Sequence, residues 1–430
     1  MALGGGRFFT MNKILPGTYI NVITKTVKNY GIETGIVALP ICLNWGPQLE
    51  VMELPIDDWI GKSFEKLGYE NDAAALLPIR EVFTGGAIRV ILFNLNNGAK
   101  ATCEFADAKY AGIRGNDIKI KIQVNVDDEN KFDVTTIVDN IDRDIQTVAA
   151  ASDLVDNDWV NFKKDVTLSV TSGIALDGGT NGTITGNEHN KALQALEQKY
   201  FNNLVCDSND ATTVGLYVSY VKRLRESMGK DFQLVCFNTA ADYEGVINVC
   251  TEVEEEGGLL VYWVAGKSCS RDFGKSNTNQ IYNGEYTPIC KQTQTQIEEA
   301  VENGQFIFHA VGDDIRVVLD YNSLVTFTDE KNENMRMNEV IRVTDYLNNA
   351  IANLFNMKYI GNVINNDTGR AHLRQDIAAI QDELVQKGAI SYNGDELTVG
   401  PGPKKGDVVI ADLITVNAAM IRLYMTITVQ

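Results

Sequence analysis

The two ends of the chain limit what it can fold into more than any other feature. Thr18 to Val27 reads TYINVITKTV, with Tyr19, Asn21, Ile23, Lys25 and Val27 on one side and Ile20, Val22, Thr24 and Thr26 on the other. This is a β-branched, two-sided strand pattern. It follows the turn signal Leu15-Pro16-Gly17, and no tight hairpin turn comes after it to supply a local partner. At the far end Leu423 to Val429, LYMTITV, is a second strand with only Gln430 behind it. Both ends are β-prone and uncapped by charge or proline, which an isolated monomer normally avoids on an exposed edge.

Charge and composition then exclude several classes of function. The 430 residues carry 38 basic and 57 acidic side chains, a net charge of −19. Phosphate binding needs clustered Lys and Arg, so neither a nucleic-acid partner nor an anionic membrane surface is expected. The first 32 residues hold Arg7, Lys13, Lys25 and Lys28 and no acid, so this segment is +4 and the remainder −23. Met1 to Thr10 has no apolar run of signal-peptide length, and the longest apolar run, Leu259 to Ala265, is too short to span a bilayer. No secretion signal and no membrane anchor are expected. The seven cysteines are widely spaced without a CxxC, and are expected to be free thiols in a reducing compartment.

Between the ends the hydrophobic pattern changes character twice. Gly35–Pro40 and Ala87–Leu95 read as strands, Ile56–Leu67 as a helix, and Asn44-Trp45-Gly46-Pro47 as a sharp turn. Residues 97–180 are mostly β. Ile118–Val126 alternates apolar and polar and is placed to pair with Phe132–Val138, and Leu168–Val170 runs into the turn-rich 177–182. From about 187, helix and strand alternate. Leu193, Leu196, Tyr200 and Leu204 form one helical stripe, and Val214, Val218, Val221, Leu224 and Met228 another. Gln233–Asn238, Leu259–Ala265 (holding Trp263) and Gln305–His309 are strand candidates, which predicts a mostly parallel α/β sheet. Two helices follow, carried by Val340, Val343, Leu347, Ile351 and Leu354 and by Leu373, Ile377, Ile380 and Leu384, with Gly388 at the C′ position. Asn393-Gly394 predicts a hairpin between Ala389–Tyr392 and Glu396–Val399.

A search for catalytic chemistry finds absences. His189, His309 and His372 are the only histidines, and no pair sits at metal-ligand spacing. Gly-Lys-Ser occurs at 61–63, 266–268 and 274–276, but the glycine a phosphate loop needs five residues earlier is replaced by Ile56, Val261 and Cys269. Asp57-Asp58, Asp127-Asp128 and Asp313-Asp314 read as solvated turns, and Glu252 with Glu254–Glu256 as a solvated helix end. No catalytic residue, metal ligand or cofactor is expected.

Short landmarks along the chain nevertheless have a familiar order. Leu15-Pro16-Gly17-Thr18-Tyr19-Ile20, Asn44-Trp45-Gly46-Pro47, Gly112-Ile113-Arg114-Gly115-Asn116-Asp117 and Leu176-Asp177-Gly178-Gly179-Thr180-Asn181-Gly182 come first. Asp242 to Val249, Val264-Ala265-Gly266, Val340 to Asp345, Tyr359 to Val363 and Leu423 to Val429 follow. Together they resemble the contractile-tail sheath proteins of bacteriophages, defective prophages and contractile bacteriocins. The resemblance implies an α/β multidomain chain: an outer β-sandwich domain, a subtilisin-like α/β middle domain without a catalytic triad, an α+β C-terminal domain, and extended N- and C-terminal β-strand arms. The expected borders are 1–27 for the N-terminal arm, 28–95 for an α/β segment packing with the core and 96–183 for the sandwich. The α/β domain then takes 184–335, the C-terminal sheath domain 336–420 and the donor strand 421–430.

The resemblance also implies a structural role. Subunits would stack as hexameric rings around a tail tube, meet baseplate and tail terminator proteins, and contract to drive the tube through a cell envelope. Assembly would take place in the bacterial host cytoplasm. The expected inter-subunit strands are Tyr19, Ile20, Asn21, Val22 and Ile23 at one end, and Leu423, Tyr424, Met425, Thr426, Ile427, Thr428 and Val429 at the other, each augmenting a neighbour's sheet edge. Gly4–Gly6 and Gly400–Gly406 would be the flexible pieces beside them. Arg370, Arg374 and Asp376, on or near the polar side of one C-terminal helix, are the candidates for touching the tube. The competing classes are another self-assembling shell protein, and a hydrolase or nucleotide-binding enzyme built on 187–335.

Overall fold

The β-branched runs near residues 36, 90, 203, 233 and 246 are apolar on both faces, and all converge in one sheet. The computed structural model describes residues 5–6, 18–19, 32–255 and 257–429, in two compact units, Met1–Gly31 and Ile32–Gln430. In the first unit β1 (Gly5–Gly6) pairs in parallel with β2 (Thr18–Tyr19). Gly5 and Gly6 are thus strand rather than a floppy lead-in, and the start of the N-terminal ribbon finds a two-residue partner upstream. Ile20, Asn21, Val22 and Ile23 lie outside the described residues.

The second unit opens with β3 (Ile36–Ile41), β4 (Val51–Pro55), α1 (Ile56–Leu67), α2 (Leu77–Gly85) and β5 (Arg89–Asn94). The chain then leaves to build the sandwich: β6 (Lys100–Thr102), β7 (Ala106–Ala111), β8 (Ile118–Val124), β9 (Phe132–Val138), β10 (Ile141–Val148), β11 (Val160–Phe162) and β12 (Thr171–Ala175). One sheet runs β10-β9-β8-β12 and the other β11-β7-β6. The alternation in β8 turns Ile118, Ile120 and Ile122 into the space between them, and the predicted pairing with β9 is present.

The chain returns through α3 (Gly186–Leu196), β13 (Asn203–Cys206), α4 (Ala211–Arg223), β14 (Gln233–Phe237) and β15 (Val246–Val249). These strands complete the six-stranded sheet β15-β14-β13-β3-β5-β4, parallel except for the edge strand β4. Residues 36–94 are therefore part of the same sheet as 203–249, and the sandwich is an insertion between β5 and α3. Arg114 rivets the insertion to its host. Its Nε donates to the Gly68 carbonyl at the end of α1 (2.8 Å), and its guanidinium grips Asp139 at 2.8 and 2.6 Å. At Gly112 (φ +132°) a Cβ would stand 1.9 Å from the Asn44 carbonyl oxygen, so only glycine lets the two loops cross.

The remaining elements are α5 (Leu260–Ser270), α6 (Gln294–Glu302), β16 (Phe308–Val311), β17 (Asp314–Val317), α7 (Asn338–Leu354), α8 (Asp367–Gln386), β18 (Ile390–Tyr392), β19 (Thr398–Pro401), β20 (Val408–Ala411) and β21 (Ile414–Val416). Several expectations are corrected here. Leu259–Ala265 is not a strand: Leu259 is the N-cap of α5 and Leu260–Ala265 its first half, and Trp263 is a helical residue whose indole donates to Asn283 (2.8 Å). The helix is buried on every side, so its sequence carries no period to separate it from a buried strand. It crosses α2 at Gly85 and Gly266, where a Cβ on Gly266 would lie 2.0 Å from the Val82 carbonyl oxygen. Leu204 belongs to β13, because α3 stops at Leu196. The strand expected at Gln305–His309 starts later: Phe308–Val311 pairs with β17, while Phe306 makes an isolated parallel bridge to Val249. Asn393-Gly394 does not close a hairpin. Instead β18 pairs with β21 and β19 with β20, so Gly400–Gly406 forms the end of the β19–β20 ribbon and not a free linker.

Candidate assembly surfaces

α7 is joined to β14 by the Gln233 side chain, which donates to Asn338 at 2.9 Å, and a buried ion pair fixes how the helix sits. Asp345 points away from solvent toward Arg225, in the π-helical turn Leu224–Met228 that ends α4. The contact is bidentate at 2.7 and 2.8 Å, and Arg225 also donates to the Phe232 carbonyl (2.9 Å). Burial pushes the Asp345 carboxyl up to about 6, and Arg225 holds it back from rising further. Beside this pair, Arg342 meets Asp320 at 3.0 Å, and Asp320 also accepts from the Asn277 amide and the Asn338 side chain. Such a buried network stabilises only as a complete set. The central and C-terminal parts of the second unit are thereby held in one orientation.

The chain then runs back along the hairpin of α7 and α8 and is tied down once more. The Asn417 amide donates to the Ala389 carbonyl (2.9 Å) and its side chain to Gly388 (3.0 Å), just past α8. The Ala419 amide donates to the buried Glu339 carboxylate in the first turn of α7, at 3.2 and 3.4 Å. Beyond this root, residues 420–429 have no assigned secondary structure. Leu423 is 85% exposed, Tyr424 88%, Met425 70%, Ile427 72% and Val429 88%. Five large apolar side chains in seven residues are therefore presented to water, far from the scattered single exposures normal on a monomer.

The tube-contact candidates are used within the subunit. Arg370 bonds the Asn365 side chain (2.7 Å) and Asp367, Arg374 donates to the Leu397 carbonyl (2.7 Å) and that of Gly394, and Asp376 accepts from Lys358 and Tyr359. Arg374 and Arg370 thus brace the loops beside α8. The histidines are dispersed. His189 Nδ1 meets the Tyr217 hydroxyl at 2.9 Å, His309 lies in β16 and His372 on the exposed side of α8. The Gly-Lys-Ser triplets fall in α1, in α5 and in the loop after α5. Among the described residues no group of His, Cys, Asp and Glu is placed to hold a metal, and no helix is long and apolar enough to cross a membrane. Sequence reasoning missed the Arg225–Asp345 clasp because its halves are 120 residues apart. An acid beside the apolar stripe of α7 is the local sign.

Comparison with known proteins agrees with this layout. Residues 96–181 match the phage tail sheath protein beta-sandwich domain, 182–323 the phage tail sheath protein central domain, and 330–430 the phage tail sheath C-terminal domain. The phage-like element PBSX protein XkdK of Bacillus subtilis (strain 168) is 33% identical over 383 residues, 81% of each chain. The chain belongs to the phage tail sheath family. A sheath tail protein from Desulfitobacterium hafniense has the same fold, with a TM-score of 0.80 and 32% identity over 93% of this chain and all of that one. A sheath complex of an extracellular contractile injection system in its contracted state shares the fold at a TM-score of 0.52 and 12% identity, over 97% of this chain and 98% of that one. In this sheath protein the three matched regions correspond to the inserted sandwich, the β13–β15 half of the central sheet with the helices around it, and the clasped C-terminal helices.

Proposed function

We propose that the chain is the structural subunit of a contractile tail sheath, polymerising as hexameric rings around a tail tube and contracting to drive that tube through a target envelope. The observation that carries this reading is the terminal segment: residues 423–429 expose a strand's worth of apolar side chains from a root fixed at Ala419. In this reading Leu423–Val429, together with Tyr19–Ile23 at the other end, are strands given to neighbouring copies. Each backbone hydrogen bond adds only about 0.5–1.5 kcal/mol, but a strand of them repeated at every subunit makes a continuous mesh. Baseplate and terminator proteins would bound the polymer, assembly would occur in the host cytoplasm, and the central α/β domain would be a subtilisin-like scaffold without a triad.

Contraction would be a switch between two packings of the same rigid bodies, with the extended one metastable and no nucleotide consumed. The bending point differs from the one expected from composition. Lys405 and Asp407 are held through their carbonyls by Asn365, at 3.0 and 2.8 Å, so the glycine-rich turn is tethered. Reorientation would fall just beyond Ala419. The domain borders at 27, 95, 183, 335 and 420 are part of the same proposal, as is a tube contact through Arg370, Arg374 and Asp376. Negative-stain microscopy of purified protein tests it: the full chain is expected to form wide hollow cylinders, and chains lacking 1–27 or 421–430 to stay soluble and unassembled. Long tubes from either truncation would overturn the proposal.

A further inference from the structure

Asparagine followed by glycine occurs five times, at 97–98, 181–182, 283–284, 303–304 and 393–394. Glycine has no Cβ to keep its backbone nitrogen away from the preceding side chain, so such a pair is the one best suited to close on itself as a five-membered ring. Closure needs an Asn side chain free to turn and a Gly amide free of other partners. The fold withholds one or both at four of the pairs. We propose that the fifth, Asn393, is a site of spontaneous deamidation. The Gly394 backbone nitrogen attacks Cγ of Asn393, the Cγ–Nδ2 bond breaks, and Nδ2 leaves as ammonia, carrying the proton from Gly394. Water then opens the succinimide. Addition at Cγ gives aspartate, and addition at the Asn393 main-chain carbonyl gives isoaspartate, in which the backbone runs through Cβ and Cγ. The site stands apart from the sheath reading and does not depend on it.

The hydrogen bonds around the five pairs carry the choice. The Asn97 side chain donates to the Thr183 carbonyl (2.9 Å), and the Gly98 amide donates to the Asn96 side chain (2.8 Å). The Asn181 side chain is held three times, donating to Asn44 (2.7 Å) and accepting from the Asn96 side chain (3.3 Å) and the Ile113 amide (3.1 Å). Asn283 accepts the Trp263 indole N–H (2.8 Å), and Gly284 is packed so closely that a Cβ there would stand 2.2 Å from the Glu81 carboxylate. The Gly304 amide donates to the Val301 carbonyl at the end of α6 (3.1 Å). Asn393 and Gly394, by contrast, are both exposed. The Asn393 side chain makes one bond, accepting from the Asp395 amide at a long 3.3 Å, and the Gly394 amide has no partner among the described residues. A Cβ on Gly394 would meet nothing nearer than Tyr392 at 3.9 Å, so this peptide has room to turn. The reaction would also reach α8. Arg374 donates to the Gly394 carbonyl and to that of Leu397 (2.7 Å). Isoaspartate adds a carboxylate and lengthens the backbone just before the carbonyl that Arg374 grips.

The test incubates the full chain at mildly alkaline pH and follows, for each Asn-Gly peptide, the amide-to-acid mass change and the isoaspartate formed. Conversion at Asn393 is expected to run at least ~tenfold faster than at the other four, because those react only through local opening. In urea the five rates should converge. Gly394→Ala, which has space for its Cβ, should slow conversion at Asn393 by at least ~tenfold without lowering the thermal midpoint. A folded chain in which Asn393 converts no faster than the other four, or not at all, overturns the proposal. So does an unchanged rate in Gly394→Ala, since hydrolysis without a succinimide would not sense residue 394. A lead that persists undiminished in urea places the preference in the flanking sequence and refutes the selection by the fold.

Discussion

Truncating Leu423 to Ala separates a ribbon meant for a neighbour from one that stabilises its own subunit. Leu423 is 85% exposed, so within the subunit the change removes almost no buried surface. Surface substitutions of this kind alter stability by no more than about 0.5 kcal/mol. In an assembled sheath the same side chain would be covered. Removing its three outer carbons at ~0.8 kcal/mol each weakens the contact by about 2 kcal/mol. At 1.4 kcal/mol per tenfold, the critical concentration for polymerisation should rise roughly 30-fold. Ile427→Ala should behave alike, because Ile427 is 72% exposed and lies on the same face. Chemical denaturation reads the first quantity, and pelleting across a concentration series reads the second. A Leu423→Ala chain with a lower unfolding free energy and an unchanged critical concentration would refute the reasoning, since its ribbon would be part of the subunit's own core.

Three further outcomes follow from the packing. Asp345→Asn removes the bidentate partner of buried Arg225 and leaves it only the longer contact with Asp231 at 3.9 Å, so it should cost up to about 3 kcal/mol in denaturant unfolding, whereas Arg225→Met, which strips both carboxylates of their partner, should cost more. Gly266→Ala drives a methyl against the Val82 carbonyl and should cost about 1–3 kcal/mol by forcing α2 and α5 apart, read as a lowered thermal midpoint. The Glu188 carboxyl is held down to about 2 by the Thr185 hydroxyl and amide in the capping box of α3. A depressed carboxyl stabilises the fold above its ordinary value near 4.5 and loses that effect as pH falls toward 2. Gln can keep the capping hydrogen bond, so Glu188→Gln should lose only the charge's share, about 0.3–1 kcal/mol at pH 7, and that cost should shrink as pH falls through about 2, measured as unfolding free energy against pH.

Patterns with a period survived translation into structure, and patterns without one did not. β8 alternates strictly and was legible with its partner β9. The stripes of α4, α7 and α8 were equally plain, because one face of each meets a core and the other meets water. α5 was not legible, since packing between α2 and the sheet makes all its faces apolar and erases the 3.6-residue signal. The C-terminal ribbons were misjudged for a different reason. Asn393-Gly394 has the chemistry of a two-residue turn, but β18 finds its partner at Ile414–Val416, and long-range pairing overrides a local preference. The terminal ribbon reads as a strand in the sequence, while in the subunit residues 420–429 carry no assigned secondary structure.

A density map of the assembled polymer, traced residue by residue through 417–429, tests the central claim most directly. The account predicts that each chain leaves its subunit after Ala419 and that the side chains of Leu423 and Met425 lie against a different copy. A trace that folds these residues back onto the helices of their own subunit, with every subunit contact made elsewhere, would contradict it.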